Sequence, residues 1–132
     1  MSAHWLLVLG TDAGDGAPLD ATLAELAGIG RVEALTPARR TRDDDGAARW
    51  FSNRLVRLES GLDRENLRAR LRAIERGIGR SERSDDVPID IDLLACDPDG
   101  AGWRLDPHAL EKREHLRPHV VALLHEAGIT LP

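Results

Sequence analysis

The chain has 132 residues, 42% hydrophobic and 31% charged, which is typical of one globular domain over residues 1–132 and excludes a disordered chain. Its formal net charge of −5 argues against bulk binding to nucleic acid or to an anionic membrane. One cysteine, no apolar stretch of membrane-spanning length and no basic secretory start indicate a cytoplasmic protein.

The first half of the chain is predicted to contain three strands and one helix. Leu19, Leu23 and Leu26 recur at i, i+4 and i+7, which places them on one face of a helix between Pro18 and Gly28. Apolar runs predict the strands, whereas polar or glycine-rich segments predict exposed loops. The predicted strands cover 4–9, 31–35 and 50–60, and the predicted loops cover 10–16 and 37–46.

The second half contains the clearest helix of the chain. Asp63 is a suitable N-cap for this helix, and Gly79 ends it. Its apolar stripe consists of Leu67, Leu71, Ile74 and Ile78. The helix is also rich in arginine, and we interpret these side chains as a solvated face. They are Arg64, Arg68, Arg70, Arg72, Arg76 and Arg80.

The remaining elements complete an α+β pattern. They are predicted as a strand at 87–95, a turn at 97–100, a short strand at 103–105 and a last helix at 117–127. The main elements therefore follow the order strand, helix, strand, strand, helix, strand. This order predicts a ferredoxin-like βαββαβ sandwich with an extra C-terminal helix.

Asp90 and Asp92 lie one residue apart inside the apolar strand at 87–95. Because side chains of a strand alternate between faces, both carboxylates point the same way, about 6.6 Å apart along the strand. Such a pair is costly unless a cation meets it, and Mg²⁺ prefers oxygen ligands of this kind. Two such ions would suit phosphoryl transfer. The pattern alone leaves open a carboxylate pair that ends a strand at the surface or meets arginines.

The chain resembles the 6-hydroxymethyl-7,8-dihydropterin pyrophosphokinase family over nearly its whole length. The order of a glutamate, Gly-Arg, Asp-x-Asp and Pro-His is the most specific part of this resemblance. The matching segments are Leu9-Gly10-Thr11-Asp12, Arg40-Thr41, Phe51-Ser52-Asn53, Ile74-Glu75, Gly79-Arg80, Asp90-Ile91-Asp92, Pro107-His108, and Arg117 with the helix after it.

The resemblance implies a folate-pathway enzyme that transfers pyrophosphate from ATP to the hydroxymethyl group of a reduced pterin. It implies that Asp90 and Asp92 hold two Mg²⁺ ions and, with Arg80 and Arg117, form the catalytic set. The implied ATP site contains Glu75, Arg80, His108 and Arg117. The implied pterin site contains Asp12, Thr41, Phe51, Asn53 and His119.

The chain departs from the family pattern in the pterin half of the site. The loop at 81–86 lacks the family's aromatic residue, and His119 stands where the family has phenylalanine. An arginine that the family places just before the Asp-x-Asp strand is also missing, and Arg83 is a candidate replacement. Two alternatives therefore stay open. One is a pyrophosphokinase with a different hydroxyl acceptor, and the other is a non-catalytic homologue that binds a nucleotide or a partner protein.

Overall fold

The computed structural model describes residues 2–12, 14, 16–42, 50–79 and 89–132. Within these ranges the chain forms six strands, four α-helices and one 3₁₀ turn. In chain order they are β1 Ala3–Thr11, α1 Ala17–Leu26, β2 Arg31–Ala34, β3 Arg39–Arg42, β4 Trp50–Ser60, α2 Arg64–Gly79, β5 Asp90–Asp97, β6 Arg104–Leu105, α3 Pro107–Lys112, the 3₁₀ turn Glu114–Leu116 and α4 Pro118–Ala127.

The strands form a single antiparallel sheet with the order β2-β4-β1-β5-β6, and β3 pairs with another part of β4. The central strand β1 is a continuous apolar run because both of its faces are covered. Leu7 and Leu9 point to one face and belong to a core with α1 and α2. Leu6 and Val8 point to the other face and belong to a core with α3 and α4.

These two faces of the sheet are called here the α2 face and the α4 face. The order of the main elements, with helices on an antiparallel sheet, confirms the predicted α+β, ferredoxin-like class, and α4 is the predicted extra helix. The predicted N-cap of α2 is confirmed, because Asp63 Oδ1 accepts a hydrogen bond from the Asn66 N–H at 2.8 Å. No helix among the described residues has both the length and the apolar character needed to cross a bilayer.

Part of the segment predicted as the exposed loop 37–46 forms a strand, so that prediction is wrong for the backbone of β3. Arg39–Arg42 pairs with the first residues of β4 while most of its side chains stay exposed. The guanidinium groups of Arg40 and Arg42 lie 5.2 and 5.6 Å from the ring centroid of Trp50. These cation–π contacts stabilise the pairing of the polar strand β3 with β4.

Helix α3 was not predicted. Asp106 is its N-cap and Pro107 is its first residue, which are standard signals for a helix start. The helix has only six residues, too few to show an apolar period. It nevertheless fixes one wall of the site, because Ala109 belongs to the core of the α4 face.

Candidate functional site

A cleft of about 200 Å³ opens beside β5. Strand β6 pairs only with Ala95 and Cys96, so residues 90–94 form an edge of the sheet within the described part of the chain. Helix α2 flanks this edge from one face, and α3 with the 3₁₀ turn flanks it from the other. This β5 cleft is lined by Arg68, Leu71, Arg72, Glu75, Asp90, Ile91, Asp92, Leu93, Asp106, His108, Ala109 and Glu114.

Asp90 and Asp92 both line the β5 cleft, as expected for two residues on the same side of a strand. Ile91, between them, belongs to the core of the α2 face. Burial is the largest cause, and together with the negative charges of Asp90, Glu114 and Glu75 it raises the pKa of Asp92 to about 8. The cleft therefore concentrates negative charge to the point where one carboxylate retains a proton near neutral pH unless a cation is present.

Glu75 joins α2 to the open edge of β5. Its Oε2 accepts a hydrogen bond from the Ile91 N–H at 2.9 Å, an amide that points away from β1. Burial raises the pKa of Glu75, and the nearby charge of Asp90 acts in the same direction, whereas the Ile91 hydrogen bond and Arg72 oppose it. Glu75 thus holds the strand that carries the two aspartates against α2.

The buried Asp106 holds α3 against α2 through an ion pair with the partly exposed Arg64. Arg64 Nε donates to Asp106 Oδ1 at 2.6 Å, and Nη2 donates to Oδ2 at 3.1 Å. Burial by itself would raise the pKa of Asp106, but the Arg64 pair and the N–H groups of His108 and Ala109 lower it overall. The Asp106 carboxylate also accepts a hydrogen bond from the His108 N–H at 3.0 Å. By fixing Asp106, the ion pair therefore also places His108 in the cleft.

Glu114 brings a further carboxylate to the cleft and holds Arg117. Arg113, before it, has a left-handed backbone with φ of 56°, which ends α3 and starts the 3₁₀ turn. Glu114 Oε2 forms an ion pair with Arg117 Nε at 3.1 Å. Arg117 precedes α4 and does not itself line the β5 cleft. Its ion-pair partner Glu114 does line the cleft, together with the two aspartates.

The expected pterin residues lie one strand away from the aspartates. Asn53 of β4 pairs with Gly10 of β1, and Gly10 pairs with Asp90 of β5. Directly paired residues point to the same face, so Asn53 and Asp90 share the α4 face with only a glycine between them. A Cβ at Gly10 would lie 2.8 Å from Asn53 Oδ1, which means that the amide lies over the bare backbone of Gly10.

Thr41 orients this amide. The buried Asn53 donates from Nδ2 to Thr41 Oγ1 at 3.1 Å, and Thr41 itself pairs across the strands with Phe51. Asp12 follows the end of β1, and His119 lies in the first turn of α4. Of the expected pterin residues, the structure thus brings Thr41, Phe51 and Asn53 together on neighbouring strands, and none of the five lines the β5 cleft.

Two expected arginines lie outside the described residues. They are Arg80, the family-matched catalytic candidate, and Arg83, the candidate replacement. Among the described residues, no group of three or more histidine, cysteine, aspartate or glutamate side chains is arranged to hold a metal ion. Any divalent cation at Asp90 and Asp92 would therefore need ligands from water or substrate, as is usual for Mg²⁺ at phosphate sites.

The interpretation of the α2 arginines as a solvated face is wrong for Arg64, whereas Arg70, Arg72 and Arg76 are exposed as expected and Arg68 is half-buried. Arg64 pairs with a buried aspartate, and Arg68 and Arg72 line the β5 cleft. Their i, i+4 spacing beside the apolar stripe places all three along one edge of the helix, and it was the available signal in the sequence. Asp106 and Glu114 were also missed as site residues. A signal was available for Asp106, because an N-cap residue before Pro107 marks a helix start, whereas Glu114 belongs to no recognisable motif.

Comparison with known families gives one match that spans these elements. A family model described as 7,8-dihydro-6-hydroxymethylpterin-pyrophosphokinase matches residues 6–128, from within β1 to the end of α4. A comparison with curated proteins gave no match.

Proposed function

Since the chain belongs to the 7,8-dihydro-6-hydroxymethylpterin-pyrophosphokinase family, whose reaction is a pyrophosphoryl transfer in folate biosynthesis, we propose that it transfers pyrophosphate from ATP to 6-hydroxymethyl-7,8-dihydropterin with Mg²⁺. The observation that carries this proposal is the meeting of Asp90 and Asp92 in one cleft, where the pKa of Asp92 rises to about 8. So much negative charge on a sheet edge is costly to folding, and a divalent cation would relieve that cost.

The donor set suits Mg²⁺. Asp90 and Asp92 offer hard carboxylate oxygens, and Mg²⁺ in phosphoryl-transfer sites is commonly held by one or two carboxylates together with substrate phosphates. We assign two ions to this pair. When bound, Mg²⁺ neutralises phosphate charge and lowers the pKa of the attacking hydroxyl.

The other residues of the cleft bind and orient the nucleotide in this proposal. Glu75 keeps β5 in position through the Ile91 N–H, and the Asp106–Arg64 pair keeps His108 at the ATP site. Arg117 and Arg80 stabilise the negative charge of the transferring group. Such electrostatic stabilisation is the main contribution of a protein to phosphoryl transfer. Arg117 must exchange its contact with Glu114 for one with substrate.

We assign the pterin to the neighbouring strands β1, β3 and β4. Asn53, held by Thr41, presents an amide whose Oδ1 can accept a hydrogen bond from an amino group of a flat heterocycle. Phe51, His119 and Asp12 are the other residues of this proposed site. The direct pairing of Gly10 with both Asn53 and Asp90 supports an acceptor that lies beside the metal-bound phosphates.

An assay of AMP formation tests the reaction. We expect AMP from ATP and Mg²⁺ only when 6-hydroxymethyl-7,8-dihydropterin is present. Nucleotide binding without AMP would instead favour the non-catalytic homologue, and AMP formed with another hydroxyl compound would favour a different acceptor. That last alternative has a specific basis, because His119 stands where the family has a phenylalanine.

Substitution of the aspartates tests the metal site. Asp90→Asn and Asp92→Asn should each abolish the Mg²⁺-dependent part of nucleotide binding measured by calorimetry. Asp20→Asn, which removes one carboxylate from the exposed surface of α1, is the matched control and should bind like the wild type. Full retention of Mg²⁺-dependent binding in both site variants would reject the assignment.

A further inference from the structure

Helix α2 turns a row of arginines toward the β5 cleft. Arg64, Arg68 and Arg72 are spaced at i, i+4 and i+8 and therefore lie along one edge of the helix. Arg64, the first of the row, is already engaged by Asp106. Arg68 and Arg72 both line the cleft, and neither forms an ion pair or hydrogen bond with another described residue.

The charges of the cleft are divided between its walls. Asp90 and Asp92 stand on β5, and Glu114 stands on the side of the 3₁₀ turn, whereas α2 contributes Glu75 and the guanidinium groups of Arg68 and Arg72. Arg72 is near enough to Glu75 to lower its pKa, but neither arginine forms an ion pair with another described residue. The family-matched cation on the opposite side, Arg117, is held by Glu114. A polyanion that enters the cleft therefore meets Arg68 and Arg72. Unlike Arg117, these two arginines do not have to release an ion-pair partner among the described residues before they bind it.

The sequence before β5 adds a second reason. Asp86-Val87-Pro88 precedes the strand, so no arginine stands immediately ahead of the two aspartates. A nucleotide with several negative charges still needs cations beyond the metal ions, since each unpaired phosphate oxygen loses its water in the cleft. Arginine is well suited to that task, because its planar fork binds two phosphate oxygens at once.

We propose that Arg68 and Arg72 bind the phosphate chain of the nucleotide and supply the positive charge that the segment before β5 lacks. This inference rests on the proposed function. It assigns the two residues to substrate binding, with Glu75 one turn further along α2 holding the strand that carries the metal-binding aspartates.

The experiment compares four variants of the full chain that each remove one positive charge from α2. Arg68→Gln and Arg72→Gln change the cleft, whereas Arg70→Gln and Arg76→Gln change exposed positions outside it and serve as matched controls. Calorimetry measures the binding of three probes, which are a non-hydrolysable ATP analogue with Mg²⁺, inorganic tripolyphosphate with Mg²⁺, and adenosine. Thermal unfolding of each variant checks that the fold is retained.

We expect each cleft variant to bind the ATP analogue and tripolyphosphate roughly tenfold more weakly, the usual effect of losing a charge-assisted hydrogen bond. The controls should change either affinity by less than about twofold at physiological salt, because exposed charges are screened within about 8 Å. The affinity for adenosine should be the same in the wild type and in all four variants, including the case in which none of them binds it.

Four results would overturn the inference. Equal losses in the cleft and control variants would mean that only the overall charge matters. A loss for adenosine without a loss for tripolyphosphate would place the arginines at the base. Unchanged binding of the analogue by Arg68→Gln and Arg72→Gln, with clear binding by the wild type, would reject the inference and leave the proposed function intact. If the wild type binds neither the analogue nor tripolyphosphate, the proposed function fails and the inference fails with it.

Discussion

Two single residues show how charge and side-chain size shape the site. Asp92 shows the first effect, because burial and adjacent carboxylates raise its pKa far above that of a free aspartate. Gly10 shows the second, because its missing side chain leaves room for the Asn53 amide. Both effects can be measured without knowing the substrate.

The first prediction concerns the pH dependence of stability in the metal-free protein. Since the folded pKa of Asp92, about 8, exceeds its unfolded value, the folded state binds the extra proton between about pH 4 and pH 8. Its contribution to stability is therefore complete below pH 4 and is lost as the pH rises through 8. With EDTA present, denaturant unfolding should show wild-type stability falling relative to Asp92→Asn across this window, by about 5 kcal/mol at about 1.4 kcal/mol per pKa unit.

Added Mg²⁺ should remove most of this difference, because a divalent cation favours the ionised carboxylate. A wild type that tracks Asp92→Asn from pH 4 to pH 8 in EDTA would contradict the raised pKa. Asp106 acts in the opposite sense and in another window. Its pKa is lowered, so its contribution is present above the unfolded value and is lost only in stronger acid.

The second prediction concerns Gly10. In Gly10→Ala the new methyl group would lie 2.8 Å from Asn53 Oδ1, so the amide must move and its bond to Thr41 must weaken. We expect a loss of stability of about 1 kcal/mol and weaker pterin binding, with nucleotide affinity little changed. Calorimetry with each ligand separates the two sites.

Gly77→Ala is the control for this substitution. Nothing lies within 4 Å of a Cβ at Gly77, which is within α2. Alanine is favoured over glycine in a helix, so this variant should gain about 0.5–1 kcal/mol of stability and bind both ligands normally. Unaltered pterin binding by Gly10→Ala would show that Asn53 does not contact the acceptor.

At the level of elements, the helices act as the walls of the site and are fixed by a few polar contacts. The Arg64–Asp106 pair connects the start of α2 to the start of α3, and Glu75 connects the far half of α2 to β5. The cleft keeps its shape because these contacts join three elements that are distant in the sequence.

The third prediction tests the wall that α3 forms. Arg64→Gln leaves the buried Asp106 carboxylate without its cation, so its pKa should rise and stability should fall by about 1–2 kcal/mol, a value reduced because Arg64 is partly exposed. His108 should lose its fixed position, and nucleotide affinity should fall as well. Arg70→Gln, on the same helix, provides the control for both measurements. Normal stability in Arg64→Gln would show that the ion pair does not anchor α3.

The sequence predicted the elements whose side chains have a regular apolar period. Helix α2 and strand β5 were recognised because Leu67, Leu71 and Ile74 repeat with a helical period and an apolar run surrounds the two aspartates. Strand β3 was missed because its polar residues stay exposed and its pairing depends on a distant strand. The walls of the cleft were missed for a related reason, because Arg64 and Asp106 meet across 42 residues, a distance that local patterns do not reach.

At the scale of the whole molecule, β1 joins the two cores. Its alternate side chains enter the α2 core and the α4 core, so neither core can form without this strand. This sharing favours one cooperative unfolding unit in the described part of the chain.

The fourth prediction follows from this arrangement. Thermal unfolding followed by tryptophan fluorescence and by far-ultraviolet circular dichroism should give one coincident transition. A non-hydrolysable ATP analogue with Mg²⁺ at about 100 times its Kd should raise Tm by roughly 8 °C. Asp92→Asn should show no such shift, whereas Asp20→Asn should shift like the wild type. Two separated transitions would mean that the cores fold independently.

The bond from Glu75 to the edge of β5 that no other described strand pairs with also bears on solubility. An unpaired strand margin invites a strand from another molecule, and proteins avoid such association with charge or with a covering group. Here the Ile91 amide is already taken, and two aspartates stand on either side of it. The acidic residues proposed for chemistry therefore also repel self-association, and replacing them with neutral side chains would make the protein more prone to aggregate.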